Sequence, residues 1–327
     1  MLVPFVTWNH REKYATGAAI GRLAAGIKEC VEAGAHKMVV PKKHHFVPRW
    51  YLERFADANG YLIVYDRHTP RFRRQKPKNV MTVTHYYRQL WAPIGIDPNV
   101  LEKSLGATLE QEAKTAIEIL LSAPQTLNEQ QVADILVFLE LQRVRVPRQA
   151  AHAKELLRST LFMNSPRDVQ QAILEGSLQI TVKDSFRFEY MRMLIGSLNP
   201  WFGRMKWEII KAATGTSFIT TDSPVSFYNV DFLPPTEAGI GLTGTRVFYP
   251  LDSYHLLIMG HPEYLPTSGG ASLRLPDPKD AHGRIEITSG IEWNWEQVLK
   301  MNWVMYQLAD RVIVANGREV LEQCLGS

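Results

Sequence analysis

The chain has 327 residues, 45% of them hydrophobic and 21% charged, with a formal net charge of +4. That balance excludes a largely disordered chain, and the length allows two lobes or one large core. Two cysteines, Cys30 and Cys324, make neither a disulfide framework nor a zinc cluster, and no apolar run is long enough for a membrane helix; a cytoplasmic protein without a membrane partner is expected.

Taken in chain order, residues 1–37 hold one amphipathic stretch, Ala18 to Glu32, with Ile20, Leu23, Ala24, Ile27 and Val31 on a helical stripe. They lack the cationic start and cleavage site of a secretory signal, and Met38 reads as a natural beginning. Residues 1–37 are therefore expected to be a leader or extension outside the fold, removable without unfolding it, and residues 38–327 a single α+β domain.

Tyr61 to Asp66 is β-rich and follows the turn Ala58-Asn59-Gly60, which predicts a strand; Pro70 ends it and a second extended piece through Phe72 returns beside it. From Pro98 the period becomes helical, with Leu101, Leu105, Leu109, Ala113, Ile117 and Leu120 on one face. Asn128 with Gln131 predicts a capped helix whose buried stripe is Val132, Ile135, Leu136 and Leu139, and Pro147 should kink or end it. Two further helices are expected near Pro166–Glu175 and Asp184–Leu198. Strands are expected at Trp207–Ala212, Phe218–Thr221, Val247–Leu251 and His255–Gly260, loops at 234–244 and 266–278, a helix at Glu292–Leu308 and a closing strand at Arg311–Ala315. Helices crowd the middle, about residues 98–198, and strands the flanks. The expected fold class is α+β, a helical middle packed against a mixed or antiparallel sheet built from N- and C-terminal segments.

Charge is unevenly spread. Between Lys42 and Lys78 ten lysines and arginines face three acids, a local excess of +7 that suits a polyanion, although a solvated basic face would look the same. Three short polar segments contain residue types suited to chemistry. His44-His45 offers acid–base or metal-binding groups, or one buried histidine fixing a turn. Thr220-Thr221-Asp222-Ser223-Pro224 puts a carboxylate at a strand end, where Asp222 serves as a base or ligand or else caps the turn. Gln142 and Arg145, near a helix end, suit bidentate phosphate or carboxylate binding, or an internal ion pair with a carboxylate such as Asp222.

The run Lys43-His44-His45-Phe46-Val47-Pro48-Arg49-Trp50-Tyr51-Leu52-Glu53-Arg54-Phe55 resembles the opening of the bacterial domain-of-unknown-function family 4238. Further similar pieces follow in family order: Pro77-Lys78-Asn79-Val80 before Tyr86-Tyr87, Leu141 to Pro147, Phe218 to Val225, Phe248 to Leu251, and Asn302 ahead of Ala309-Asp310-Arg311. The resemblance covers roughly residues 40–316. It departs at Arg49, where the family often has glutamine, and at Val146, where it often has threonine. The family carries no established activity, so the resemblance implies the extent of the fold and no chemistry.

Several function classes follow from the residues. One is a phosphodiesterase or nuclease acting on a nucleic acid or nucleotide, in a toxin or phage-defence setting. Its catalytic residues would be His44, His45, Asp222, Arg145 and Gln142 in one pocket, with Lys43, Arg49, Arg67, Arg71, Arg73 and Arg74 binding the substrate. A divalent metal, Mg²⁺ or Mn²⁺, is compatible with that chemistry. The alternative is a non-catalytic nucleic-acid-binding or protein-interaction module. In the former, the basic stretch is interleaved with Phe72, Tyr86 and Tyr87 as stacking rings; in the latter, Trp293, Trp295, Trp303 and Tyr306 form the contact surface. The oligomeric state is left open.

Overall fold

The computed structural model describes residues 6–7, 43–88, 109–261 and 284–326. The expected leader helix, the start of the helix expected from Pro98 and the loop expected at 266–278 lie outside the described residues.

The N-terminal portion contributes β1 (Val6–Thr7), β2 (Lys43–His45), the single-turn helix α1 (Arg49–Glu53), the hairpin β3 (Leu62–Asp66) and β4 (Arg71–Gln75), a 3₁₀ turn at Pro77–Asn79, and β5 (Thr82–Thr84). The helical block comprises α2 (Glu110–Ser122), α3 (Glu129–Val144), α4 (Pro147–Met163), α5 (Arg167–Leu174), α6 (Phe186–Leu194) and the short α7 (Asn199–Phe202). The C-terminal portion holds β6 (Lys206–Ala212), β7 (Thr220–Thr221), β8 (Ser226–Tyr228), β9 (Arg246–Pro250), β10 (His255–Gly260), β11 (Arg284–Ile285), β12 (Ile287–Trp293), α8 (Trp295–Leu308), β13 (Val312–Ala315) and α9 (Arg318–Leu325).

The fold is α+β, and its N- and C-terminal segments share a sheet as expected: β13 pairs antiparallel with β3 on one side and β7 on the other, giving the order β4-β3-β13-β7. A five-stranded sheet runs β12-β6-β10-β9-β8, antiparallel except where β12 joins β6 in parallel. Val6 and Thr7 pair antiparallel with Ile285 and Arg284, so part of the segment expected to stand apart is hydrogen-bonded to the fold.

Alternation along the strands explains the layers. Trp207 and Ile209 of β6, with Leu257 and Met259 of β10, face a core shared with α1, α2 and α3; Ile210, Ala212, Leu256 and Ile258 face a second core under α8 and α9. The sheet is thus buried on both faces, which is why β9 and β10 read as unbroken apolar runs. Each such Leu or Ile taken out of water contributes about 1.5–3 kcal/mol.

The capping box at Asn128 and Gln131 forms as expected, and a second occurs at Asn294 and Gln297. That second box corrects one expectation: Glu292 and Trp293 belong to β12, and the helix starts after Asn294. A larger correction concerns α3. The spacing predicts one buried stripe, yet every residue from Val132 to Val144 is buried, including Asp134, Glu140, Gln142 and Arg143. A helix enclosed on all sides must find partners for its own polar side chains.

Candidate anion-binding site

Two of the three polar segments meet. Strand β2 pairs with β5, and the two histidines point to opposite sides as strand geometry requires. His44 is fully buried. Its Nδ1 accepts the Tyr87 amide at 2.9 Å, and its ring stacks on Tyr87 with centroids 5.9 Å apart and lies 6.2 Å from His85. Accepting at Nδ1 leaves a neutral ring's proton on Nε2. Met81 (φ +52°) and His85 (φ +55°) both adopt the left-handed region immediately outside β5. Such strain costs on the order of 1–2 kcal/mol per residue and persists because the surrounding packing over-determines it.

His45 is half-buried, with Nε2 3.4 Å from the Pro77 carbonyl. Burial lowers its pKa against the pull of the Pro77 carbonyl and the Glu110 carboxylate, so the ring is neutral near pH 7. Arg145, at the end of α3, is buried. Its Nη1 donates to Glu110 Oε1 at 2.7 Å, and Nε and Nη2 donate to Gln142 Oε1 at 2.9 and 2.5 Å. Gln142 Nε2 donates to the Phe46 carbonyl at 3.1 Å, next to the histidine pair, while Tyr86 Oη donates to the Arg145 carbonyl at 3.0 Å. Arg145 thus has an internal carboxylate partner, and it is Glu110, where the sequence had suggested Asp222. Glu110 stands in the first turn of a helix, an ordinary place for an acid. Only the tertiary contact singles it out.

Asp222 has different neighbours. Oδ1 accepts the Asp310 amide at 3.0 Å, and Oδ2 accepts those of Arg311 and Val312 at 2.8 Å each. Burial pushes its carboxyl above the ordinary carboxylate value, against the pull of these amides. The carboxylate braces the turn from α8 into β13, a distant segment rather than the local turn at Pro224, and its hydrogen-bond partners do not include His45 or Arg145.

The basic stretch divides in the same way. Arg67 turns inward, its Nη1 donating to the carbonyls of Tyr306 at 3.0 Å and Ala309 at 2.7 Å at the end of α8. Arg73 reaches Asp66 at 3.3 Å. Arg49 pairs with Glu53 at 2.8 Å and Arg74 with Asp57 at 2.7 Å, both at the surface. Lys43, Arg71 and Lys78 are exposed, without an ion pair among the described residues. Tyr86 and Tyr87 are buried, so neither is open to a base, and Phe72 packs with Tyr65 at 5.0 Å. Of the C-terminal aromatics, Trp295 is half exposed while Trp293, Trp303 and Tyr306 pack against the second core.

Between α1 and the Pro77 turn is a cleft of about 490 Å³ lined by Arg49, Glu53, Ala56, Gly60, Lys76, Pro77 and Lys78; a larger cavity of about 800 Å³ lies between α4 and the end of α5, away from the polar segments. The position of the cleft follows from local chemistry. Val47-Pro48 starts α1, which buries Tyr51 and Leu52 and turns Arg49 and Glu53 outward. Asp57 Oδ1 accepts the amides of Asn59 and Tyr61 at 2.9 Å each, and Gly60 (φ +72°) completes that turn in a conformation that favours glycine. Three cations face one acid, and Pro77 carries the carbonyl next to His45. Among the described residues no group of three or more His, Cys, Asp or Glu is placed to hold a metal ion, and no helix is long and apolar enough to cross a membrane.

An α+β protein with a basic surface cleft beside a half-buried histidine is the class that this fold and site define. The chain belongs to the family described as "Protein of unknown function (DUF4238)", whose model matches residues 43–319. No curated protein and no solved structure matches the chain.

Proposed function

We propose that the chain binds a phosphate-bearing ligand, a nucleic acid above all, in the cleft between α1 and the Pro77 turn. The observation that carries this reading is the lining itself: Arg49, Lys76 and Lys78 against the single acid Glu53. Cations collected in a concave surface focus positive potential and release counterions when phosphates enter. Arg74, which shares the Tyr61 ring with Lys76, adds a further cation beside it. A second reading, phosphodiester hydrolysis, is favoured by His45, which burial keeps neutral and able to accept a proton within the influence of Glu110. His44, Gln142, Arg145 and Asp222 then act as scaffold, since each is already engaged inside the protein.

The test is fluorescence anisotropy with a labelled 12-nucleotide strand at two salt concentrations, using wild type, Lys76→Glu and Lys78→Glu, together with a gel assay for cleavage by wild type and His45→Ala. Binding should weaken steeply with salt, and each charge reversal should weaken it about tenfold and flatten the salt slope by about one. Binding that ignores both reversals would overturn the reading. Cleavage lost in a folded His45→Ala protein supports hydrolysis, and cleavage that survives it removes the histidine from the chemistry.

A further inference from the structure

Beside the cleft stands a stack the sequence did not single out. Tyr61 precedes β3, and the hairpin register places it beside the chain of β4 as that strand runs on to Lys76. Its ring lies 3.7 Å from Lys76 Nζ and 4.2 Å from the Arg74 guanidinium. Lys76 is therefore shared: it lines the cleft, donates to the Asn59 carbonyl at 3.0 Å and rests on Tyr61. Arg74 is held by two contacts. Its Nη2 pairs with Asp57 at 2.7 Å while the guanidinium packs on the ring, yet half of its side chain remains exposed. A planar cation fixed in this way, with an open side, is a stacking surface for a flat π-system.

We infer that the ligand is a single strand: one phosphate enters the cleft at Arg49, Lys76 and Lys78, and an adjoining unstacked base lies on the exposed face of Arg74. The inference rests on the phosphate-binding reading and deepens it. Within a duplex, base faces are closed against their neighbours and only edges and phosphates are presented; in a single strand the faces are available to side chains. Lys76 ties the two halves together, because the same side chain borders the phosphate site and the Tyr61–Arg74 stack. The contact reads a π-face, so it tolerates any base and confers strandedness rather than sequence preference.

The experiment compares three probes carrying equal numbers of phosphates, about 24 each: a 5′-phosphorylated 24-nucleotide single strand, the same strand with abasic residues, and a 12-base-pair duplex of two 5′-phosphorylated strands. Wild-type protein should bind the base-bearing strand about tenfold more tightly than the abasic strand or the duplex. Arg74→Lys keeps the charge and loses the plane, and Tyr61→Leu removes the ring that holds the plane. Each should cut the preference for the base-bearing strand over the abasic one from about tenfold to about twofold or less, whatever it does to abasic binding through Lys76. Equal binding of all three probes by wild type, with Lys78→Glu still weakening it, would overturn the single-strand inference while leaving phosphate binding intact. Absence of binding by any probe, or binding indifferent to Lys78→Glu, removes the phosphate reading and this inference with it.

Discussion

Replacing Asp222 distinguishes a brace from a site residue. The carboxylate accepts three backbone amides, from Asp310, Arg311 and Val312, and is 6% exposed. Asp222→Ala leaves all three donors without their acceptor in a nearly dry turn. At about 1.5 kcal/mol for each hydrogen bond to a charged group the gross loss is about 4–5 kcal/mol. Relief of the burial cost that raises the carboxyl's pKa brings the net to about 3–4 kcal/mol. For a chain of this length the unfolding entropy is on the order of 0.7 kcal/mol/K, so the melting temperature should fall by about 5 °C. Asp222→Asn retains one oxygen for the two amides that Oδ2 accepts and turns its NH₂ towards that of Asp310, so it should cost about half as much. Thermal unfolding followed by circular dichroism reads both variants. A melting temperature within about 1 °C of wild type for Asp222→Ala, together with lost ligand binding, would refute the argument and return Asp222 to the site.

Three further outcomes follow from the polar groups enclosed in the fold. Arg145→Met strands the Glu110 carboxylate and the Gln142 amide oxygen; urea unfolding should show a loss of about 3–5 kcal/mol, and a change below 1 kcal/mol would mean the network is not under tension. Hydrogen bonds from Arg311 hold Asp66 down at about 2 against an ordinary 3.8, so its contribution is full above 3.8 and disappears as pH falls towards 2. Because Arg311 is half exposed, that contribution is about 1 kcal/mol, and the stability gap between wild type and Asp66→Asn should close between pH 5 and pH 2. Glu140 differs: burial raises its pKa against the pull of the backbone amides of Leu198, Gly196, Asn199 and Ser197, and Oε1 accepts the Leu198 amide at 2.6 Å. Its folded value lies above the unfolded 4.5, so the stability it supports is present below 4.5 and declines as pH rises through the folded value. Glu140→Gln removes the charge that burial penalises and keeps one oxygen for the Leu198 amide, so at pH 8 its stability should lie within about 1 kcal/mol of wild type; a loss above 2 kcal/mol there would contradict it.

Local chemistry was enough to read much of the fold. The capping box at Asn128, the helix break at Pro147, the hairpin start at Gly60 and the strands at 206–212 and 255–260 all rest on interactions within a few residues. The shared sheet of N- and C-terminal segments followed from where apolar strands lie along the chain, and the family from short runs such as His44 to Pro48. The residue types picked out in the sequence, His44, Gln142, Arg145 and Asp222, all turn out buried with hydrogen-bond partners inside the protein. Which partners those are was decided by distant parts of the chain. Glu110 meets Arg145 from 35 positions away, and the amides that engage Asp222 come from residues 88–90 positions further on. No local pattern encodes such partners. The same holds for the basic stretch: Arg67 and Arg74 look alike in sequence, yet one is drawn into the end of α8 and the other stays half exposed on Tyr61. A charged side chain's availability depends on which acceptors the folded chain brings within reach of it, and that is a property of the packed core rather than of the residue.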